Sequence, residues 1–292
     1  GGVLSFLSPQ FLTVQNILNL LLQATVISTI AAGMTLVILT AGIDLSVGSL
    51  LALTAVVTAD VLQSGVPVPV AVLAGLALGG AVGMVNGIVI TRAKIPPFIA
   101  TLGMMTLARG LALSYAGGRP ITGLPDGFLA IGTSSFIGVP TPVWITAAIY
   151  LLGLFVLNRT TLGRYVYALG NNPVASRFAG LPVRATTVAV YVISGVLAAF
   201  AGMILVARLD SAQPVMGIRY ERDAIAAVVV GGAALSGGEG TLWGTLLGAL
   251  IMAVIANAIN IIGVSPFYAQ VLQGGVIIAA LLIHSAGRRS AA

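Results

Sequence analysis

The sequence VPVAVLAGLALGGAVGMVNGIVI, residues 68–90, contains no charged side chain and is apolar almost throughout. A helix of about 20 apolar residues crosses the hydrocarbon core of a bilayer, which is about 30 Å thick. Further apolar runs occupy residues 143–157, 186–207 and 242–262. The whole chain is 58% hydrophobic, whereas ordinary soluble domains are about 45–50% apolar. The sequence therefore predicts an all-α polytopic membrane protein.

Apolar spans recur along the entire chain, which indicates a single transmembrane domain over residues 1–292. We expect about ten transmembrane helices, the first of them incomplete, because residues 1–7 have the character of the end of a span. The other spans are expected near residues 16–41, 45–62, 68–91, 97–116, 141–157, 185–207, 223–236, 241–262 and 268–285. Turn-forming Gly, Pro and Ser residues occupy the connections between them.

Basic residues are divided unequally between the two sides of the expected bundle. If the chain begins in the cytoplasm, eight of them lie on the cytoplasmic side: Arg92, Lys94, Arg159, Arg164, Arg177, Arg184, Arg288 and Arg289. Four lie on the other side: Arg119, Arg208, Arg219 and Arg222. Cytoplasmic loops of membrane proteins are enriched in Lys and Arg. The bias predicts that the loop at about residues 158–185 is cytoplasmic.

That loop contains four arginines and no acidic residue. Any large inner loop would be basic, so the charge alone is also explained by a solvated loop without a partner. The sequence NNPVASRFAGLPV, residues 171–183, is more informative. Asn172 is suited to cap a short helix that starts at Pro173, and Gly180 is suited to end it. Such a helix would expose Phe178 and Leu181, which indicates a docking surface.

Glycines recur every four residues at Gly75, Gly79, Gly83 and Gly87, and again at Gly240, Gly244 and Gly248. This spacing places a flat stripe on one helix face and lets two backbones approach closely. We expect these stripes to pack against neighbouring helices, with helix sliding during transport as an alternative.

The inventory of reactive side chains excludes most enzyme classes. The chain has no Cys and one His, His284, and its single Lys is Lys94. A zinc site, a Ser-His-Asp triad or a Cys-His pair cannot be assembled from these residues. The Gly-rich sequence GGAALSGGEGT, residues 231–241, lacks the Lys of a phosphate-binding loop. We expect no catalytic site, metal or cofactor bound by this chain.

Asp44 and Arg109 are the ionisable residues nearest to the spans. The length of the span at residues 16–41 places Asp44 near the cytoplasmic interface, where Asp44 or Ser46 would cap the next helix. A position in a translocation pathway is the alternative for Asp44. Arg109 falls inside a span, where a charge is a functional candidate. We expect its guanidinium to bind backbone carbonyl groups freed by neighbouring glycines.

Several blocks together resemble the permease subunits of carbohydrate-type ABC importers, most closely those for ribose. They are GMTLVILTAGIDLSVGSLLAL (33–53), PPFIATLGMMTLARG (96–110), LGRYVYALGNNPVASRFAGLPV (162–183), ARLDSAQP (207–214) and YERDAIAAVVVGGAALSGGEGTLWGTLLGALI (220–251). The resemblance covers nearly the whole chain after Leu7. It implies a ten-helix permease fold in the bacterial inner membrane, with two copies forming a dimer around one pathway. It implies no nucleic-acid partner.

The resemblance also implies partners. Cytoplasmic ATPase subunits, which use ATP and Mg, would drive transport, and a periplasmic binding protein would deliver the sugar. The family's ATPase-coupling loop matches Gly163 to Val183. Together with the charge and capping arguments, this assigns coupling to Gly163, Arg164, Ala168, Gly170, Asn172, Pro173, Ala175, Arg177, Phe178 and Gly180.

The most charged stretch on the outer face is RLDSAQPVMGIRYERD, residues 208–223. We expect it to dock the binding protein through Arg208, Asp210, Arg219, Glu221 and Arg222, with a simply solvated loop as the alternative. Permeases for related solutes such as autoinducer-2 share the same blocks, so the solute stays open. A gradient-driven secondary transporter is a weaker alternative, because such proteins carry coupling charges within their spans and the expected spans of this chain contain almost none.

Overall fold

The computed structural model describes residues 12–262, 271 and 274–275. The expected span at residues 1–7 lies outside this part of the chain, as does almost all of that at residues 268–285. Eleven helices form within the described residues: α1 (Val14–Leu39), α2 (Val47–Gln63), α3 (Val68–Arg92), α4 (Pro97–Tyr115), α5 (Asp126–Thr133), α6 (Thr141–Arg159), α7 (Thr161–Asn171), α8 (Pro173–Phe178), α9 (Val183–Leu209), α10 (Tyr220–Val230) and α11 (Leu242–Ile262). Four two-residue strands pair antiparallel, β1 (Ile121–Thr122) with β4 (Ser211–Ala212) and β2 (Ser135–Phe136) with β3 (Val139–Pro140).

Six helices of the described chain are long and apolar enough to cross a membrane, namely α1, α3, α4, α6, α9 and α11. Helix α2 is also apolar but has 17 residues, which corresponds to about 26 Å. These helices begin and end within two residues of the boundaries expected from the sequence. The prediction of a helical, polytopic membrane protein is therefore confirmed.

The expected span at residues 223–236 is wrong. Helix α10 has 11 residues and ends at Val230, so it covers only about 16 Å. The chain then continues without helical structure to Leu242. Glycines cause the break, because Gly232, Gly237 and Gly238 have φ angles of +89°, +87° and +77°, which are left-handed conformations that a right-handed helix does not allow.

Helix α1 is the central helix of the described bundle. It packs against α6, α7, α9, α10 and α11, and almost all its residues from Ala24 onward are buried. Polar side chains within this core bond one another, as where the hydroxyls of Thr35 in α1 and Thr245 in α11 lie 2.7 Å apart. The charged and aromatic residues treated below are therefore positioned around a buried helix.

The glycine stripe of α3 packs directly against α9. A Cβ atom at Gly79 would lie 2.5 Å from the carbonyl oxygen of Gly195, and one at Gly83 would collide with the carbonyl of Tyr191. On the second stripe, a Cβ at Gly248 would collide with the carbonyl of Ala227 in α10. Close packing by these glycines is confirmed, and their alternative role in sliding stays a prediction.

The basic residues at the helix ends define two ends of the bundle. Helix α3 ends at Arg92, α6 ends at Arg159, and α9 begins next to Arg184. We call this the basic end; α7 and α8 lie there, between α6 and α9. We call the other end the opposite end. Helix α5 lies there; the sequence did not predict it, and its Phe128 is fully buried.

Candidate functional sites at the two ends of the bundle

The expected coupling loop forms a helical hairpin, α7 and α8 (residues 161–180), at the basic end. The predicted capping of α8 is confirmed. The side-chain oxygen of Asn172 accepts hydrogen bonds from the N–H groups of Val174 and Ala175 at 3.1 and 2.9 Å. Pro173 occupies the first helical position, and Gly180 follows the helix with a φ of +76°. The side chain of Ser176 anchors α8 to α7 by donating to a backbone carbonyl of α7.

The outer side of the hairpin is exposed and mixes basic with apolar groups. Phe178 is 89% exposed and Val174 is 64% exposed. The other exposed residues among those expected to couple are Arg164, Asn172, Pro173, Ala175, Arg177 and Gly180. The expected exposure of Leu181 is wrong. Its backbone N–H bonds back to the carbonyl of Ser176 at 3.0 Å, and the residue is half-buried.

The inner side of the hairpin packs mainly against backbone atoms rather than against side chains. Gly163 lies against the carbonyl of Leu157, and Gly170 lies against the carbonyl of Leu39 and the N–H of Gly238. The hydroxyl of Tyr167 donates to the carbonyl of Gly240 at 2.8 Å, and partial burial raises the pKa of that hydroxyl. Ala168 is half-buried between the two sides. The hairpin thus rests on the end of α1 and on the loop of residues 231–241.

At the opposite end, two of the five residues expected to dock a partner bond within the chain. Arg208 donates from Nη1 to the carbonyl of Leu22 at 3.0 Å. Asp210 ends α9 in a left-handed conformation, with a φ of +46°, and accepts from the N–H of Leu124 at 2.9 Å. The charge pattern did not predict these intramolecular roles.

The other three docking candidates surround a cleft. Glu221 is only 9% exposed, which leaves little of its side chain available to a docking partner. Arg219 and Arg222 are exposed, and the Arg222 guanidinium lies 4.0 Å from the Glu221 carboxylate. Next to them in the first turn of α10, burial raises the pKa of Asp223 to about 6, and the charge of Glu221 acts in the same direction.

This cleft has a volume of about 460 Å³, and most of its lining surface is apolar. Its lining residues are Ser49, Met105, Thr106, Arg109, Leu113, Val215, Ile218, Arg219, Glu221 and Arg222. Arg109 donates from Nη1 to the carbonyls of Pro214 and Met216 at 2.6 and 2.8 Å, and from Nη2 to that of Gly48 at 3.3 Å. The expected bonding of Arg109 to backbone carbonyls near glycines is confirmed.

Asp44 lies inside the bundle, and its expected interfacial position is wrong. Its side chain is 1% exposed. One carboxylate oxygen accepts from the N–H and the hydroxyl of Ser46 at 3.0 and 2.6 Å, and the other accepts from the hydroxyl of Ser194 at 2.9 Å. Asn86 donates to the same Ser46 hydroxyl at 3.0 Å. Ser194 is eleven residues beyond Val183, the first residue of α9, which is about 16 Å along the helix. Since Asp44 bonds Ser194, the turn before α2 is recessed into the bundle.

Neither Asp44 nor Ser46 caps α2 as expected. Ser46 occupies the N-cap position but makes no side-chain bond to the first turn. Asp44 instead bonds the N–H of Ser46, two residues on, which is the arrangement by which Asp stabilises a turn. The side chains of Asp44, Ser46, Asn86 and Ser194 together join α2, α3 and α9 at this turn.

Comparisons with known proteins agree on one family. The family model described as branched-chain amino acid transport system / permease component matches residues 16–281. The ribose import permease protein RbsC of Escherichia coli K12 is 48% identical over 290 residues, which cover 97% of this chain and 90% of that protein. Its Bacillus subtilis counterpart is 47% identical, covering 96% and 88%. The D-allose transport system permease protein AlsC of Escherichia coli K12 is 38% identical, covering 97% and 87%.

No solved structure gives a significant match to this chain. The family model nevertheless spans most of the chain, and the relatives extend over nearly all of it. The chain therefore belongs to the permease-component family of transport systems, which consists of transport permeases and not of catalytic enzymes.

Proposed function

We propose that this protein is the transmembrane subunit of an ATP-driven importer that carries ribose or a closely related monosaccharide. The similarity to ribose import permeases carries this proposal. Identity is 48% and 47% to the ribose permeases of two distant bacteria and falls to 38% for the D-allose permease. A solute-specific ranking of this kind favours ribose within the sugar permeases.

An ATPase subunit is the partner that supplies energy, using ATP and Mg, at the basic end. The exposed residues of the α7–α8 hairpin support this role, because the hairpin presents Phe178 and Val174 to solvent with Arg164 and Arg177 beside them. An exposed aromatic residue with flanking arginines is the composition of an interface core rather than of a solvated loop.

A sugar-binding protein docks at the opposite end. Arg219 and Arg222 support this contact, since they are the exposed members of the charged segment at residues 208–223. Charges at the rim of an interface mainly set the association rate and its dependence on salt.

A second copy of the chain completes the pathway in the bacterial inner membrane, with the basic end in the cytoplasm. The long helices α3, α4 and α6 bury only 22%, 17% and 22% of their most apolar segments within one copy. Their remaining surface is available for lipid and for the second copy.

Two alternative functions would give different results in a transport assay. A permease of the same family could carry another small polyol-like solute, such as autoinducer-2. A gradient-driven secondary transporter would need titratable groups in its pathway. Asp44, the more deeply buried of the two buried acidic residues in the described chain, is held by three hydrogen bonds.

The proposal is tested by reconstituting the protein into vesicles with its ATPase and binding protein and measuring uptake of radiolabelled ribose. We expect uptake that requires ATP and the binding protein and that exceeds uptake of allose or galactose. ATP-dependent uptake of autoinducer-2 without uptake of ribose would support the first alternative. Uptake that ignores ATP would contradict the whole proposal.

A further inference from the structure

We infer that a groove between the end of α3 and the start of α9, at the basic end of the bundle, binds an anionic phospholipid. This groove, called the basic groove, has a volume of about 420 Å³ and is lined by two arginines, Arg92 and Arg184. Its other lining residues are Ile88, Thr91, Ala185, Val188 and Ala189. The site goes beyond the proposed function, because it does not depend on which solute the protein carries.

The close packing of α3 on α9 brings the two arginines together. A Cβ atom at Gly87 would lie 2.6 Å from the Cα of Val188, so the two backbones meet there. Arg92 lies five residues beyond Gly87 at the end of α3, and Arg184 lies four residues before Val188 at the start of α9. These offsets correspond to about 6–8 Å along each helix. The two antiparallel helices therefore carry both arginines to the same level.

The positive charge of the groove is not neutralised within the described chain. Neither Arg92 nor Arg184 forms an ion pair or a side-chain hydrogen bond with another described residue, and both are exposed. Two like charges in one groove repel each other, so an anion that contacts both of them is stabilised. Guanidinium groups match the oxygens of a phosphate group in a bidentate manner. A phosphate is therefore the anion that this pair of arginines fits.

The surface of α3 next to the groove fits an acyl chain. Ala77, Ala81, Met84 and Ile88 follow one face of the helix at spacings of three and four residues, and all four are exposed. Arg92, four residues beyond Ile88, continues the same face. The stripe from Ile88 to Ala77 is about 16 Å long, which is about half of the hydrocarbon thickness of a bilayer. A phospholipid covers both the arginines and this stripe, whereas a free phosphate leaves the stripe uncovered.

The charge of the groove selects the head group. Phosphatidylethanolamine and phosphatidylcholine each carry a cationic group beside the phosphate, which would bring a further positive charge toward Arg92 and Arg184. Phosphatidylglycerol carries a net negative charge and no cation. Basic pockets between transmembrane helices bind anionic head groups for this reason. A cytoplasmic protein could reach the arginines but not the apolar stripe, which runs into the hydrocarbon, so the two features together favour a lipid.

The test is a lipid titration of the purified full chain in detergent, measured by native mass spectrometry. We expect dioleoylphosphatidylglycerol to bind at least tenfold more tightly than dioleoylphosphatidylcholine. Arg92→Gln with Arg184→Gln should weaken binding of the anionic lipid at least tenfold, because each basic side chain near anionic lipid contributes a factor of about five in affinity. Equal affinities for the two lipids, or an unchanged affinity in this double variant, would overturn the inference.

Lys94→Gln with Arg159→Gln is the matched control. It removes the same charge from two exposed residues at the same end that lie outside the groove. We expect the control to change the affinity for the anionic lipid less than threefold. A loss as large as that of the groove variant would show a diffuse attraction to the basic end and would overturn the site.

Three further measurements distinguish other occupants, and we expect a negative result in each. Displacement of the lipid by inorganic phosphate at an equal concentration would assign the groove to a soluble anion. Loss of ATPase co-purification in the groove variant, with lipid binding unchanged, would assign the arginines to the ATPase. Because the sequence contains no Cys, Ile88→Cys supplies a single thiol. A disulfide between two copies of that variant would assign the groove to the second copy. Any one of these results would overturn the inference.

Discussion

The backbone N–H of Gly238 donates a hydrogen bond to the carbonyl oxygen of Leu39 over 2.9 Å. This bond joins the end of the central helix α1 to the loop of residues 231–241. Gly170 of α7 packs against the same two groups. The α7–α8 hairpin, α1 and the loop therefore meet at one point, and a movement of the hairpin would reach α1 through backbone contacts that have little freedom to adjust.

The first prediction concerns this contact. Gly170→Ala should reduce ATP-driven uptake at least tenfold, because its Cβ would collide with the Leu39 carbonyl and the Gly238 N–H, and backbone cannot rotate away as a side chain can. Gly103→Ala in α4 is the control, since a Cβ there meets no atom within 4 Å. The measurements are ribose uptake in reconstituted vesicles and the Tm of the purified protein.

A milder variant distinguishes a loss of coupling from a loss of folding. Tyr167→Phe removes the hydrogen bond to the Gly240 carbonyl without adding an atom, and its expected cost is about 1 kcal/mol. We expect normal insertion with a severalfold lower ratio of uptake to ATP hydrolysed. Wild-type coupling in both Gly170→Ala and Tyr167→Phe would show that this contact does not transmit the movement.

The second prediction concerns the outer side of the hairpin. Ala175 is exposed within α8, so Ala175→Glu should leave the fold intact but place a carboxylate in the proposed ATPase interface. We expect uptake to be abolished and co-purification of the ATPase to be lost. Gly180 is a less clean site for the same test, because its φ of +76° strains any other residue. Ala130→Glu, at the opposite end, is the control, and ATPase binding by Ala175→Glu at wild-type levels would contradict the interface.

The third prediction concerns docking at the opposite end. Reversing both exposed arginines, Arg219→Glu with Arg222→Glu, should slow association of the binding protein at least tenfold at low salt and much less at high salt, since screening weakens exposed charges. Arg119→Glu, at an exposed arginine of the same end, controls for the reversal of a positive charge elsewhere on that face. Association rates are measured by surface plasmon resonance on permease in nanodiscs. If the double variant and the control behave alike at low salt, these arginines do not dock the partner.

The fourth prediction follows from Asp223, whose pKa is raised to about 6 by burial and by Glu221, against the attraction of Arg219 and Arg222. Tyr220 and Arg208 line one cavity together with Asp223. A carboxyl with a raised folded-state pKa binds its proton more tightly when folded, so the free energy of unfolding should increase as pH falls from 7 toward 5. For a folded-state pKa of about 6, the fall from pH 7 to pH 5 increases the free energy of unfolding by about 1.4 kcal/mol at most. Asp223→Asn should remove this part of the pH dependence of Tm, and an identical pH profile in the variant would refute the assignment.

The sequence predicted what depends on local pattern. Hydropathy identified the long helices because a membrane span is apolar along its own length. Asn172 and Gly180 identified α8 because capping acts between residues within four positions of each other. The α10 span failed because Ala and Val kept the hydropathy high while Gly232 and Gly237 broke the helix. Hydropathy measures partition into lipid and does not register a backbone break.

The remaining features depend on contacts between residues far apart in sequence. The bond of Arg208 to Leu22, the seat of Gly170 on Leu39 and the burial of Glu221 beside Gly48 each join segments more than 100 residues apart. Asp44 was misplaced for the same reason. Counting residues along the preceding span placed Asp44 near the interface, but the position of this turn depends on Asn86 and Ser194 in other helices.

The last prediction concerns the source of energy. Vesicles that contain only the purified permease should accumulate no ribose under a proton or sodium gradient, and adding the ATPase, the binding protein and ATP should restore accumulation. A carrier needs a free-energy input that shifts it between two conformations, and a proton can supply it only through a titratable group that alternates between the two sides. Asp44 is a poor candidate, because Ser46 and Ser194 satisfy both of its oxygens in a site that is 1% exposed. Asp44→Asn should lower the Tm, since an amide has one oxygen in place of the two that accept these bonds. It should not change the response to a gradient. Gradient-driven accumulation by the permease alone that disappears in Asp44→Asn would overturn both the structural role of Asp44 and the ATP-driven mechanism.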